Sequence, residues 1–414
     1  MLSNELAPHG NETRMKKALV ISVGWEQQPL IQRLQSQGYD IYGIHPNGDF
    51  PKDAELADVC VCDVRDLSSV WDYASKVSPD LVIADQCDYS HYAQAVVSQR
   101  MGLPGPSIRA AHISCNKFEQ RTICASSGFE TPKFFQCKSP EEADKAAREI
   151  GFPLIVKPVD NRGSFGVNRV DSPEQVRHAY WDAVCNSHSR YVLLEEFIHG
   201  VQITVDGYAF PKSGCRSLAL ATKTLLDDPE RQVAVDIIYP GELPKHVRQK
   251  AMQINEQINT ALGYDFGMTH SEYMVTEDER IILIESANRG GGCFTSELIA
   301  PTVSGIDLVG QYISDTAGET QDLYTAPNET PTILKFITFP PGQVKGITGT
   351  EAAMKTEGTL ALRLQIAAGS DIQPVSTDAN RHGFIIFSSE TMVRQRAIDA
   401  FKMIDVTYDQ VQPS

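Results

Sequence analysis

The chain has 414 residues, of which 42% are hydrophobic and 22% charged, and its net charge is −16. At about 150 residues per domain this describes a globular protein of two or three domains with a full core. The acidic balance and the lack of any long basic stretch exclude nucleic acid as an expected partner. No apolar run of about 18 residues suggests a membrane span. The nine cysteines are odd in number and form no C-x-x-C pair. They are read as buried thiols in a reducing compartment. The first fourteen residues are polar and lack the apolar core of a signal peptide. The expectation is a cytoplasmic protein with a disordered tail over 1–15.

Residues 17–23 (KALVISV) read as a buried parallel strand, followed by Gly24 and a helical segment to about Gln37. Asp40–Ile44, Ala57–Cys62 and Asp80–Ala84 repeat the pattern, each followed by a helical segment. Strands alternating with helices predict an open α/β sheet over 16–115. The turn S-V-G-W-E after the first strand lacks G-x-G-x-x-G, so dinucleotide binding is not supported. Asp85, Asp88 and His91 follow the fourth strand, at the end where such sheets bind ligands; helix capping is the plainer role for Asp88. GLPGPS at 102–107 marks a boundary. Asn116–Ser127 reads as a helix, Lys133–Cys137 as a strand, 140–150 as a helix, and 154–158 and 167–171 as strands. Ser172-Pro173-Glu174 opens another helix. Tyr191–Glu196 and Val201–Phe210 are strands, and 244–263 is an amphipathic helix. A polar linker at 317–331 precedes a C-terminal α+β region over 326–414, with strands at Thr332–Phe339 and Gly383–Phe387 and a helix over 391–405.

Four segments carry chemistry. PLIVKPVDNRGSFGV (153–167) is a strand, a lysine and a glycine-containing loop. Such a loop can present backbone N–H groups to phosphate, with Lys157 as a point charge; a flexible polar hairpin is the alternative. In YVLLEEFIHGVQITVDG (191–207) the adjacent Glu195 and Glu196 point to opposite faces. Glu195, Phe197 and Ile198 can form a hinge that receives a purine. TKTLLDDPERQVAVD (222–236) is a polar turn that could cover a substrate, with Arg231 on a carboxylate, or a solvated surface loop. HSEYMVTEDERIILIESANRGGG (270–292) predicts a hairpin with strands Met268–Met274 and Arg280–Ser286. It could bring Glu272 and Glu285 to one end of a sheet beside Gly290, Gly291 and Gly292. Two hard carboxylates there suit Mg²⁺ shared with phosphates, and a solvated hairpin is the alternative.

The order of these motifs, with Lys117 opening a helix and G-F-E-T-P at 128–132, resembles the ATP-grasp superfamily. Within it the chain is similar to the amino-acid ligase branch that includes dipeptide and carnosine-type synthetases. The resemblance spans about residues 16–405. It implies an N-terminal Rossmann-like α/β domain, nucleotide-binding lobes over 116–325 with the small lobe at about 130–196, and a C-terminal α+β lobe.

The resemblance also implies roles. Lys117 and Lys157 contact ATP phosphates, and Ser164, Phe165 and Gly166 close over them. Glu195, Glu196, Phe197 and Ile198 form the adenine hinge. Gln202 stands where the family usually has a ribose-binding glutamate. Glu272 and Glu285 hold Mg²⁺, with Mn²⁺ as a substitute. The family's E-x-N reads Glu285-Ser286-Ala287 here, so one ligand is missing and the neighbouring Asn288 could compensate. Arg289 faces the transferred phosphate or the substrate carboxylate. His270 is either a base or a packed histidine.

The implied reaction joins a small-molecule carboxylate, expected to be that of an amino acid, to an amine through an acyl phosphate, releasing ADP and phosphate. A homodimer is compatible with this, and an acyl-carrier protein stays open as a partner. Biotin-dependent and purine-pathway carboxylate ligases and a non-catalytic ATP-binding protein are the rival classes. E-A-A-M-K-T at 351–356 is similar to a biotinyl-lysine motif but reads as a helix end.

Overall fold

The computed structural model describes residues 15–48, 50–51, 54–226, 233–320, 328–375, 377 and 380–409. Residues 1–14 of the expected tail and Arg231 lie outside the described residues. The first domain is a parallel sheet of β1 (Lys16–Ile21), β2 (Tyr39–His45), β3 (Asp58–Val61) and β4 (Leu81–Ile83), ordered β3-β2-β1-β4. Ala18, Leu19, Val20 and Ile21 are all fully buried. An uninterrupted apolar run of this kind needs cover on both faces. The cover includes α1 (Gln28–Ser36), α2 (Leu67–Val77) and α3 (Asp88–Met101). Asp66 caps α2 by accepting from the Ser68 and Ser69 N–H groups. Gly102, at φ +70°, ends α3 in the left-handed conformation that suits glycine.

Two helices, α4 (Ile108–Ser114) and α5 (Lys117–Ser126), lead into a small lobe. Its antiparallel sheet has β5 (Phe134–Cys137), β6 (Leu154–Pro158), β7 (Asn168–Val170) and β8 (Val192–Glu196), ordered β5-β8-β6-β7. Helices α6 (Pro140–Ile150) and α7 (Pro173–Cys185) cover one face. Ser139 caps α6, which carries Pro140, Glu141 and Glu142 in its first turn. Ser172 and Gln175 form a capping box on α7. These are the residues that helix N-termini favour, since they satisfy free N–H groups and complement the helix dipole.

The rest of the chain supplies β9 (Val201–Phe210), β10 (Gly214–Leu225), β11 (Ala234–Tyr239), α8 (Lys245–Leu262), β12 (Gly267–Val275) and β13 (Ile281–Ala287). A π-helical turn at Thr295–Ile299 leads to α9 (Ala300–Ser304) and α10 (Leu308–Thr316). Then follow β14 (Thr332–Ile337), β15 (Gly342–Thr348), α11 (Thr350–Lys355), β16 (Thr359–Leu364), β17 (Asp371–Ile372), β18 (Gly383–Ser388), α12 (Val393–Phe401) and β19 (Asp405–Tyr408). One eight-stranded sheet, β13-β12-β9-β10-β11-β14-β18-β16, runs through this region and continues past residue 326. The second, three-stranded sheet has the order β17-β15-β19.

The expected helix over 391–405 is a correction: it stops at Phe401, and Asp405–Tyr408 pairs with β15 instead. Pairing with a neighbouring strand overrides local propensity there. The cysteines are a second correction. All nine are free, but only Cys124, Cys137 and Cys215 are buried, and Cys185 is exposed. Lys355 is the last residue of α11, the helix end expected for that motif. Among the described residues no helix is long and apolar enough to cross a membrane.

Arg121 on α5 joins the lobes. It is fully buried, donates to Glu195 of β8 at 3.0 Å and to the Ile284 carbonyl of β13 at 2.5 Å. Arg121→Met leaves both acceptors short of a donor, and the expected cost is about 3 kcal/mol or more. A lowered midpoint in chemical denaturation checks this, and an unchanged midpoint contradicts it.

Candidate active site

A cavity of about 550 Å³ lies between the small lobe and the large sheet, and its far end reaches the first domain. Ile155 and Val167 line it from the small lobe, Met274 and Ile282 from the β12–β13 hairpin, and Ile198 from the link between β8 and β9. Two apolar walls facing each other make a slot suited to a flat ring. The Ile198 N–H has no protein partner among the described residues. Gly200 lets this link run close to the end of β12: a Cβ there would stand 2.3 Å from the Val275 carbonyl oxygen.

The hairpin's register places the two acids. Met274 pairs with Ile282 and Tyr273 with Leu283, yet Glu272 pairs with Glu285, so Ile284 is an extra residue. A β-bulge of this kind shifts the side-chain alternation by one. Without it Ile284 would oppose Glu272, and Glu285 would sit on the other face. With it both carboxylates line the cavity. Each already has a cation. Lys117 reaches Glu285 at 2.7 Å and the Asn161 carbonyl at 2.6 Å. Lys223 binds Glu272, and the Gln202 amide donates to the same carboxylate at 2.9 Å.

Behind Glu272 runs a buried chain of contacts. The Tyr239 hydroxyl donates to Asp206 at 2.7 Å, and His270 Nδ1 lies 2.7 Å from Asp206. His270 Nε2 is 3.6 Å from Glu272. Burial works against a charged His270, but Asp206 and Glu272 more than offset it and raise the ring to about 9. His270 thus sits between two carboxylates that favour its charged form, which fits the hydrogen-bonded alternative better than the base.

Lys157 is buried and bound to Glu195, which also accepts from Arg121 at 3.0 Å. Burial tends to raise the Glu195 carboxyl, and Arg121 and Lys157 together pull it below its ordinary range. The Glu195 carboxylate is thus committed to these two cations. Glu196 is exposed, and Phe197 lines the cavity beside it. In the 163–166 loop, Gly163, Ser164 and Phe165 line the cavity, whereas Gly166 turns away and packs on α7: a Cβ there would meet Ala183 Cα at 3.2 Å.

Arg289 lines the cavity and is gripped by Asp88, with contacts of 2.9 and 3.2 Å. Asp85 accepts the Gly290 N–H at 2.7 Å. The carboxyl end of β4 thus holds the turn after β13, and the capping role expected of Asp88 is a correction: Cys87 is the N-cap of α3, without a side-chain cap, and the Asp88 carboxylate binds Arg289 instead. Gly290 has no room for a side chain, since a Cβ would stand 1.8 Å from Ser296 Oγ. Gly291 backs against His270. Asn288 is a correction. It is fully buried, and its amide donates to the Phe266 and Met268 carbonyls at 2.9 and 3.0 Å. Strand alternation puts Ala287, not Asn288, on the face of Glu285. Among the described residues no three His, Cys, Asp or Glu side chains converge as a metal cage. Lys223, Asp206, Arg162, Glu26, Gln86 and Arg381 lie in or behind this cavity; the first three fall within segments quoted above, but the sequence singled out none of the six, because each arrives from a different element.

Two family models match the chain: an ATP-grasp domain over residues 150–297 and an L-amino acid ligase C-terminal domain 2 over residues 335–409. An uncharacterized protein of Sinorhizobium fredii is 25% identical over 360 residues, covering 84% of this chain and 73% of that protein. The D-alanine–D-alanine ligase of Pseudomonas putida is 28% identical over 218 residues, covering 50% of this chain and 66% of the ligase. The crystal structure of an L-amino acid ligase from Bacillus licheniformis superposes with a TM-score of 0.81 at 19% identity, over 96% of this chain and 100% of that one.

His270 has a signature in the metal-free protein. Its ring pKa is above the ordinary 6.5, so its contribution to stability is complete below about pH 6.5 and is lost as pH rises through about 9. NMR titration of the ring is expected to show a midpoint near 9, and Asp206→Asn is expected to lower it. A midpoint near 6.5 in the unmodified protein contradicts the assigned pairing.

Proposed function

We propose that this chain, whose residues 150–297 match an ATP-grasp domain and 335–409 an L-amino acid ligase C-terminal domain 2, activates the carboxylate of an amino acid as an acyl phosphate and joins it to an amine. The observation that carries this reading is the register pairing of Glu272 with Glu285 between an apolar slot and Arg289. A nucleotide base fits the slot, with Ile198 backbone as its edge partner and Gln202 near the ribose. The phosphates then extend toward Lys117, Lys157 and the loop at 163–165.

The donor set supports a hard divalent ion. Glu272 and Glu285 offer oxygen ligands on one face, and no complete protein cage surrounds them among the described residues. Mg²⁺ favours such a partial shell, leaving positions for water and phosphate. Bound there, it would neutralise charge on the transferred phosphate. Asn288 does not line the cavity, so the two glutamates are the protein oxygens this reading uses.

The chain's own residues then position and neutralise. A carboxylate oxygen of the first substrate attacks the γ-phosphorus of ATP, and the bond from that phosphorus to the β-phosphate oxygen breaks. ADP and an acyl phosphate result. The nitrogen of the second substrate attacks the acyl carbon, the carbon–oxygen bond to phosphate breaks, and the amine loses a proton as phosphate leaves. Arg289, fixed by Asp88, presents a preorganised cation where charge develops on the phosphoryl group. Lys117 and Lys157 add positive charge along the nucleotide. The amine's proton goes to water or to the departing phosphate.

Incubation with ATP, Mg²⁺ and amino acids, singly and in pairs, is expected to release ADP and phosphate. Formation of AMP in place of ADP would sink the acyl-phosphate route. Glu285→Gln is expected to lower turnover about 100-fold or more with an unchanged circular dichroism spectrum. Full activity in that variant would put the metal elsewhere.

A further inference from the structure

Most cations on the cavity wall are matched by a carboxylate. Lys117 holds Glu285, Lys157 and Arg121 hold Glu195, Lys223 holds Glu272, and Arg289 holds Asp88. Arg162, on the loop between β6 and β7, lines the same cavity, and among the described residues no carboxylate lies within ion-pair reach of it. Its guanidinium rests instead on the Tyr89 ring, 5.4 Å from the centroid, and meets the Cys87 thiol. The charge of Asp88 reaches it, and that of Arg289 repels it. Arg162, Arg289 and Lys117 also border a second, smaller cavity of about 20 Å³. Two guanidinium groups from separate elements thus face one space. The carboxylates that border it are already engaged: Asp88 by Arg289, Glu285 by Lys117, and Asp160 by backbone N–H groups. A cation left over beside another cation favours an anion from outside the chain.

The aromatic platform under Arg162 is itself held. Tyr89 belongs to the first turn of α3, and its ring also carries Arg65, 5.6 Å from the centroid. Its hydroxyl lies 2.5 Å from His188 Nε2 and donates to the Asp160 carbonyl at 3.4 Å. The His188 ring meets it edge-on, with centroids 5.1 Å apart. The Asp160 carboxylate in turn accepts from the Ser187 hydroxyl and the His188 and Ser189 N–H groups at 2.8, 3.1 and 2.7 Å. A side chain of the first domain is therefore clasped by the small lobe, at the stem of the loop that carries Arg162. A cation over an aromatic face is attracted to it, so the stack fixes the guanidinium without neutralising it. This is the end of the cavity toward the first domain. The Arg162 charge also reaches Glu26, which accepts the Cys293 N–H at 3.2 Å.

We propose that Arg162 is a second catalytic arginine beside Arg289, holding the phosphoryl group once it has moved to the substrate carboxylate, and that Tyr89 positions it. The inference rests on the ligase function proposed above and adds two residues to its machinery. ADP keeps Lys117 and Lys157, whereas the non-bridging oxygens of the acyl phosphate lie between Arg162 and Arg289. A planar guanidinium offers such oxygens paired N–H donors. The arrangement needs both lobes, since Arg162 arrives on the small lobe and its platform on the first domain. Its task is retention. Water attacking an exposed acyl phosphate breaks the bond between the acyl group and phosphate. Carboxylate and inorganic phosphate are returned, the water supplying one oxygen and two protons to the pair. ATP is then consumed without ligation, and closure around the phosphoryl group prevents this.

Hydroxylamine serves as the acceptor in the test, so that ligation is read as hydroxamate and compared with the ADP released. Arg162→Met is expected to lower kcat about ten-fold or more and to release ADP in excess of hydroxamate. Its KM for ATP is expected to stay unchanged, which also shows that the nucleotide site is intact. Inorganic phosphate is expected to inhibit this variant less than the unmodified enzyme. Arg162→Lys keeps the charge without the fork and is expected to fall between the two. Tyr89→Phe, which keeps the ring, is expected to stay coupled. Tyr89→Leu is expected to reproduce the excess of ADP and to add nothing in the Arg162→Met background. Unchanged kcat, coupling and phosphate inhibition in Arg162→Met overturn the proposal and leave the ligase function standing. A loss confined to KM for ATP overturns it too, by placing Arg162 on the nucleotide. Full additivity of Tyr89→Leu and Arg162→Met overturns the positioning role. No hydroxamate and no ADP from any acid overturns the ligase function and this inference together.

Discussion

The extra residue at Ile284 governs the geometry of the site. A regular β12–β13 ladder would place Glu272 and Glu285 on opposite faces of the sheet, and no ion could meet both. The bulge restores them to one face. It is stabilised from outside the hairpin, because the Ile284 carbonyl accepts from Arg121, a fully buried guanidinium on α5. Arg121 also grips Glu195, which in turn holds Lys157. One side chain therefore links the register of the acids to the lysine on the opposite wall. The packing of α5 between the lobes is what makes this link available.

Charge is arranged throughout the cavity as pairs that leave little unneutralised. Glu285 has Lys117, Glu272 has Lys223, Glu195 has Lys157 and Arg121, and Arg289 has Asp88. Buried ions of either sign are costly alone, so a fold that concentrates them must pair them. The pairing also keeps the side chains in place before any ligand arrives, and preorganised charge is what phosphoryl transfer requires. Glu26 and Gln86 depart from this pattern. Gln86 Oε1 is buried without a hydrogen-bond partner among the described residues.

The first domain contributes more than a platform. Asp85, Gln86 and Asp88, at the carboxyl end of β4, reach Gly290, Glu297 and Arg289 on the segment after β13. Parallel sheets bind ligands at that end because the connecting loops converge there. In this chain the loops converge on the turn that follows the hairpin of Glu272 and Glu285. Gly290 is needed for that meeting, since no side chain fits between Asp85 and Ser296.

The α/β alternation of the first domain, the small-lobe strands, the 270–287 hairpin and such cavity residues as Lys117, Lys157, Glu272, Glu285 and Arg289 were legible in the sequence. These features depend on local periodicity, on capping residues such as Ser139 and Ser172, and on motifs contiguous in the chain. Pairings between distant segments were not legible. Asp206 as the partner of His270, Lys223 on Glu272, and Glu26 beside Cys293 each join residues whose approach depends on how separate elements pack. The same holds for the face that Asn288 takes and for β19, which is a strand only because β15 offers it an edge. Sequence by itself determined which elements form and which residue types carry charge. Tertiary structure alone decided which charges meet, because a single-residue bulge inverts strand alternation and a buried ion exists only where packing brings it a partner.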